Sequence, residues 1–126
     1  MNEDYFQVIF RSSYDLTKFP KPFAIVTAFN PMDLKLTELE NKKRNGKLKH
    51  ELENMGCIHK DIIGLSEDLL HQEPSYLIKI SFKKALHLGR KFEQRAIFWV
   101  TGENLQIIDC NTCQRYELGS FEKRIR

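Results

Sequence analysis

The stretch Phe23-Ala-Ile-Val-Thr-Ala-Phe-Asn30-Pro31 decides the fold of this 126-residue chain. After a short loop it is followed by Thr37-Glu-Leu-Glu40-Asn41-Lys-Lys-Arg44-Asn45-Gly46, which runs on to Met55. From Phe23 to Phe29 there is a single hydroxyl. Side chains alternate along an extended strand, so Phe23, Ile25, Thr27 and Phe29 face one way and Ala24, Val26 and Ala28 the other. Both sets are apolar or nearly so, the mark of a central strand covered on both faces, and the small set suits close packing under helices. Pro31 has no N–H and biases Asn30 away from helical geometry, which ends the strand.

The second half of the stretch reads as a helix. Thr37 with Glu40 three residues on has the spacing of a capping box. Leu48, Leu52 and Met55 repeat as the inward stripe of an amphipathic helix. Continued backward by the same steps, the stripe lands on Asn45 and Asn41, so two amides stand in line with the core-facing positions. Arg44 flanks them, three residues from Asn41. Leu39 falls on the opposite side, and Gly56 suits a helix stop.

Length and composition set the bounds. One domain over residues 1–126 is expected, with a core at 23–108, an N-terminal strand and connection at 1–22 and a C-terminal tail at 109–126. At 41% hydrophobic and 29% charged residues the chain is ordinary globular material. A net charge of +3 is too mild to demand nucleic acid as a partner. The acidic start lacks the apolar segment of a signal peptide, and no run approaches membrane-spanning length. Three cysteines, an odd number, do not suggest a secreted disulfide framework. These features point to the cytoplasm and away from the membrane.

Along the rest of the chain, Tyr5–Phe10 reads as a strand and Arg11–Pro22 as a connection. Cys57–Leu65 reads as a second core strand, Ser66–Ser75 as a loop and Tyr76–Ile80 as a third strand. Ser81 caps a helix running from Phe82 to about Glu93, with Ala85, Leu88, Gly89 and Phe92 inward. Ala96–Val100 and Leu105–Ile108 form a hairpin through the turn at Thr101–Asn104. The core order βαββαβ predicts an α+β fold, a ferredoxin-like split βαβ antiparallel sheet with two helices and strands added at both ends. In that topology the end of the first core strand, the start of the first helix and the starts of the third and fourth strands share one edge. Asn30, Asn41, Arg44 and Asn45 would there meet Glu73 and Gln94.

The same residues carry a resemblance. Ala24-Ile-Val-Thr-Ala-Phe-Asn-Pro31, Glu40-Asn41 with Arg44-Asn45, Glu73 with Ser75, and Ala85 through Gly89-Arg90, Phe92–Gln94, Ala96 and Ile97 resemble a bacterial family of domains of unknown function, number three-two-nine-three. The resemblance covers about Phe23 to Val100. It implies no reaction, and it marks these polar positions as typical of the fold.

Two readings of the amide-rich edge stand side by side. In one, Glu73 and Arg44 are catalytic, as a base and a planar cation, and Asn30, Asn41, Asn45 and Gln94 bind a small polar ligand such as a nucleotide or phosphorylated metabolite. Hydrolysis or group transfer would suit that set. In the other, the amides tie loops to the helix through bonds to backbone. A non-enzymatic module that binds protein or nucleic acid is the alternative function, with nucleic acid not favoured. The basic residues of both helices are interspersed with acids, and Phe23 and Phe29 are expected in a buried role rather than stacked on RNA. No metal site is expected: Cys110-x-x-Cys113 lacks a second ligand pair and reads as unpaired thiols in a surface tail. No motif specifies a cofactor. The apolar second face of the sheet requires cover, from residues 1–22 and 110–126 in a monomer or from a second subunit in a homodimer, and cover from within the chain is preferred.

Overall fold

Seven strands and two α-helices are laid out along residues 3–126, the part of the chain that the computed structural model describes. Met1 and Asn2, part of the segment expected to cover the sheet, lie outside the described residues. The strands are β1 (Ile9–Arg11), β2 (Phe23–Val26), β3 (His59–Leu65), β4 (Gln72–Ile78), β5 (Ala96–Thr101), β6 (Asn104–Asp109) and β7 (Arg115–Ser120). The helices are α1 (Glu38–Met55) and α2 (Phe82–Lys91). One sheet holds all seven strands in the order β1-β3-β4-β2-β5-β6-β7, and neighbours run antiparallel throughout. The fold is α+β.

Local chemistry sets the boundaries. The β2 ladder closes at the Val26–Tyr76 pair, three residues before the expected end at Phe29. Past that pair, side chains capture the backbone: the Ala28 N–H donates to Asn45 Oδ1 at 2.8 Å, and the Ala28 carbonyl accepts from Arg44 Nε at 2.6 Å. The capping box of α1 is complete, with the Glu40 N–H on Thr37 Oγ1 and the Thr37 N–H on Glu40 Oε1. Gly56 ends α1 at φ 68°, in the left-handed region that a side chain disfavours. Leu48 and Leu52 are buried, but Met55, the last residue of α1, is 37% exposed. Ser81 caps α2 by accepting from the Lys84 N–H. That helix stops at Lys91 rather than near Glu93, since Glu93 turns left-handed and the Gln94 N–H closes back on the Gly89 carbonyl.

Three other expectations are corrected. The run Tyr5–Phe10 is a 3-10 turn over Glu3–Gln7 followed by the three-residue β1. The loop expected at Ser66–Ser75 gives up its last four residues to β4, which pairs with β3 from Gln72 to Ile78 without a register shift. Pro74 is tolerated because β2 has already ended on its other flank. The tail expected after Asp109 contributes β7, a seventh strand where six were expected. Its alternation of exposed and half-buried residues is that of an edge strand with one covered face.

The sheet separates two cores. Ala24, Val26 and Ala28 lie with Leu48, Leu52, Ala85 and Leu88 on the helix side. Phe23 and Ile25 lie on the other side with Val8, Phe10, Leu16, Phe19, Leu77, Val100, Leu105 and Phe121. Trp99 belongs to the first core and Phe98 packs against the second, as strand alternation requires. The second face is therefore covered by the chain's own terminal segments, as preferred above. A seam joins the two sheet edges: Phe10 and Ile125 form a parallel bridge. Arg124 donates to the carbonyls of Phe6, Val8 and Leu118, tying the N-terminal segment to β7.

Candidate functional site

The amide-rich edge forms where α1 begins and the ladder of β2 ends. Asn41 and Asn45 are 4% and 7% exposed, buried positions for polar side chains. Each amide bridges backbone. Asn41 accepts the Asn30 N–H and donates to Asn30 Oδ1, both at 2.8 Å, and Asn30 Oδ1 also accepts the Leu36 N–H. Asn45 accepts the Ala28 N–H and donates to the Pro74 carbonyl at 2.9 Å, which Thr27 Oγ1 also reaches. Arg44 donates to the carbonyls of Ala28 and Phe92, and its third nitrogen lies 3.5 Å from the Glu93 carboxylate. Gln94 donates to the Phe29 and Phe92 carbonyls. Five of the six residues singled out in the sequence thus form one connected network, and most of their hydrogen-bonding groups are spent on backbone. Asn30 Nδ2 and Gln94 Oε1 make no hydrogen bond within the described chain and are left to face solvent.

The network holds an uncommon backbone in place. Asn30, Met32, Asp33 and Glu93 all have φ between 45° and 64°, a region costly for residues with a side chain. The two strained segments are joined directly, since the Met32 N–H donates to the Glu93 carbonyl at 2.7 Å. Their effect is to hold the Pro31–Asp33 turn against the start of β5.

Glu73 stands apart from the amides. Residues two apart on a strand share a face, so Glu73 points with Ser75 and Leu77, and Leu77 belongs to the core opposite the helices. Glu73 therefore sits at the same edge as the amides but on the other face of the sheet. It is half-buried, and its carboxylate makes no hydrogen bond within the described chain. Burial, and then the charge of Asp33, push its pKa up to about 7. Asp33 is itself held from both sides: Tyr5 Oη donates to Oδ1 and Arg95 Nε to Oδ2, each at 2.6 Å. Burial, more than the bond to Asp33, raises the pKa of Tyr5 and keeps the phenol neutral.

Tyr5, Asp33 and Arg95 were not singled out in the sequence. Topology alone pointed to this edge, and Asp33 and Arg95 lie beside Asn30 and Gln94 in the chain. Applied to every polar residue of the two loops, the same argument would have found both. Tyr5 carried no such signal, because its segment reads as a strand.

The remaining candidates resolve differently. Phe23 is fully buried, so it offers no stacking platform for a base. Cys110 is not in a surface tail. It is 2% exposed within the helix-side core, and burial pushes its thiol up to about 12. A methyl group added at Gly89 would meet its sulfur at 2.7 Å, so that glycine permits the contact. Cys113 is exposed, and no disulfide forms among the three cysteines. Among the described residues, no group of three or more His, Cys, Asp or Glu is arranged to hold a metal ion. No helix among them is long and apolar enough to cross a membrane.

No curated protein and no solved structure matches this chain. One family model does, over residues 26–97, from the last residue of β2 to the second residue of β5. That span holds both helices, β3, β4, the strained turn, Glu73 and the whole amide network. The chain belongs to the family described as Protein of unknown function (DUF3293).

Proposed function

We propose that the protein binds a small polar ligand at the sheet edge formed by Glu73, Asp33, Tyr5 and Arg95. In this reading Asn30, Asn41, Arg44, Asn45 and Gln94 are positioning residues that fix the loop carrying Asp33 and the loop carrying Arg95. The single observation that carries the proposal is Glu73: a half-buried carboxylate without a hydrogen-bond partner, beside a second carboxylate. Its oxygens are reachable by solvent and are not occupied by a protein donor, while desolvation already disfavours the charged form, so a ligand donor placed there would meet a carboxylate that no protein group competes for. A carboxyl titrating at about 7 is also matched to general-base work at neutral pH, taking a proton from water or a substrate hydroxyl in a hydrolase or transferase. The strained backbone supports the same reading, since non-glycine residues held at positive φ concentrate at functional sites.

The order β3-β4-β2-β5 of the four central strands, with both helices packed on one face, supports a ferredoxin-like split βαβ unit extended by β1 on one side and by β6 and β7 on the other. Three unpaired cysteines support a reducing, cytoplasmic location.

The test is a thermal-shift screen of the full chain against a metabolite library, repeated with Glu73→Gln. A ligand that binds the folded state raises its melting temperature. The expected outcome is at least one compound whose shift disappears in Glu73→Gln while the unliganded variant stays folded. Hits that shift wild type and variant equally would move the binding site elsewhere.

A further inference from the structure

The seam between the two sheet edges holds an open cleft of about 300 Å³ that the Glu73 site does not use. Gln7 and Ile9 line it from the N-terminal segment, Ser120 from the end of β7, and Lys123, Arg124 and Arg126 from the chain beyond it. Glu67 is the one acid of the lining, against three cations. The ion pairs formed among the described residues involve none of Lys123, Arg124 and Arg126. Four basic residues elsewhere are paired with acids: Lys42 with Glu38, Lys91 with Glu51, Arg44 with Glu93 and Arg95 with Asp33; what sets the seam apart is that three cations line one cleft. The seam is thus a concave place with positive charge in excess.

We propose that this cleft is a binding site for a phosphate group. Three features carry the inference. The first is the excess of charge, three cations against Glu67, which gives the concavity a positive potential. The second is the fixed position of Arg124. Its guanidinium is half-buried and anchored on the carbonyls of Phe6, Val8 and Leu118 at 2.9, 3.1 and 3.2 Å. A guanidinium anchored in this way presents its charge without further loss of side-chain entropy. The third is the mixture of donors around it. Lys123 supplies an ammonium, Arg126 a second guanidinium, Ser120 a hydroxyl and Gln7 an amide. Phosphate presents several acceptor oxygens at once and is the common small anion that such a set satisfies. The cleft lies at the low end of the size range of small-ligand pockets, which suits a phosphate and its immediate substituent rather than a large cofactor. The phosphate can come from a free small molecule or from a nucleic-acid backbone, and the two sources are separable. The site is independent of the Glu73 edge.

The test uses the full chain, inorganic pyrophosphate as probe and chloride matched for ionic strength. The variant is the double substitution Lys123→Gln with Arg126→Gln. Arg124 is left intact because it ties the sheet edges together. The control is Lys47→Gln with Lys49→Gln on the exposed face of α1. Pyrophosphate is expected to raise the melting temperature of wild type and control beyond the chloride reference. Its apparent affinity is expected to fall about tenfold or more in the double variant, the loss of one to two charge-assisted bonds. A parallel arm measures single-stranded oligonucleotide by fluorescence anisotropy at low and moderate salt. Oligonucleotide binding that depends on Lys123 and Arg126 and falls steeply with salt supports the phosphate site and assigns it to a nucleic-acid backbone. Pyrophosphate binding without oligonucleotide binding supports it and assigns it to small molecules. Equal affinity in double variant and wild type, or no response to either probe, would overturn the proposal.

Discussion

The two faces of the sheet are buried by different means. On the helix side, β2 presents Ala24, Val26 and Ala28, small side chains that let α1 and α2 approach closely. On the other side it presents Phe23 and Ile25 to a cover that contains no α-helix, made of β1, the 3-10 turn at Leu16–Lys18 with Phe19 after it, and the chain after β7. Irregular backbone cannot fit itself to a sheet as ridges fit grooves, so large rings fill the space. Phe23 packs edge-on against Phe19 and Phe121 at 5.4 and 5.5 Å, and Phe10 against Phe98 at 5.3 Å. On the helix side β2 itself contributes only small residues, the rings of Tyr76, Phe92 and Trp99 come from other elements, and two buried amides stand at the start of α1.

The sharpest way to break this contrast is to remove the irregular cover. A chain lacking residues 1–22 should expose Phe23, Ile25, Leu77 and Val100. The loss should exceed the ~3–5 kcal/mol typical of truncating one large core side chain, and the product should aggregate. A truncated chain that is monomeric, soluble and equally stable by urea unfolding would show that the terminal segments are dispensable.

A smaller effect is expected at Glu73, at the sheet edge on the face opposite the helices. Its pKa is raised on folding from 4.5 to about 7, so between those values the folded state binds more protons than the unfolded one. Stability contributed by this group is therefore greatest below pH 4.5 and falls as pH rises through 7. Glu73→Gln should remove that slope and stabilise the protein above pH 7 by at most about 3 kcal/mol. Parallel urea titrations of wild type and variant across pH 5–9 measure it, and identical slopes would remove Glu73 from the account.

Next in size is the amide network of the helix side. Asn45→Ala should leave the Ala28 N–H without a partner in a dry environment and cost about 2 kcal/mol. A variant as stable as wild type in urea unfolding would mean that water or a backbone shift replaces the amide. The smallest effect is local: Thr37→Ala should cost about 1 kcal/mol by opening the capping box of α1. It should lower stability without touching ligand response, whereas Asn41→Ala should disturb both, because Asn41 holds the strained Asn30 turn.

Much of this arrangement was legible in the chain. The alternation in β2 predicted two covered faces because strand geometry forces neighbours apart. The Thr37–Glu40 pair predicted the helix start because a capping box acts within a few residues, whereas Pro31 placed the strand end three residues too late. The Asn41–Asn45 interruption of an apolar stripe predicted buried amides, and they are buried.

Other features are decided only by contacts distant in sequence. Asp33 reaches Arg95 across 62 positions and Tyr5 across 28, distances over which no local pattern operates. The partner of each buried amide is a backbone group freed where a ladder stops, and the stop is set by the neighbouring strand. Cys110 is buried because Gly89 leaves room for its sulfur across a helix–sheet contact. The Glu73 pKa follows from desolvation by a fold that brings Asp33 beside it. Backbone sterics, capping and alternation are short-range and can be read from sequence. Burial and charge environment sum over everything that packs around a group, so only the tertiary structure sets them.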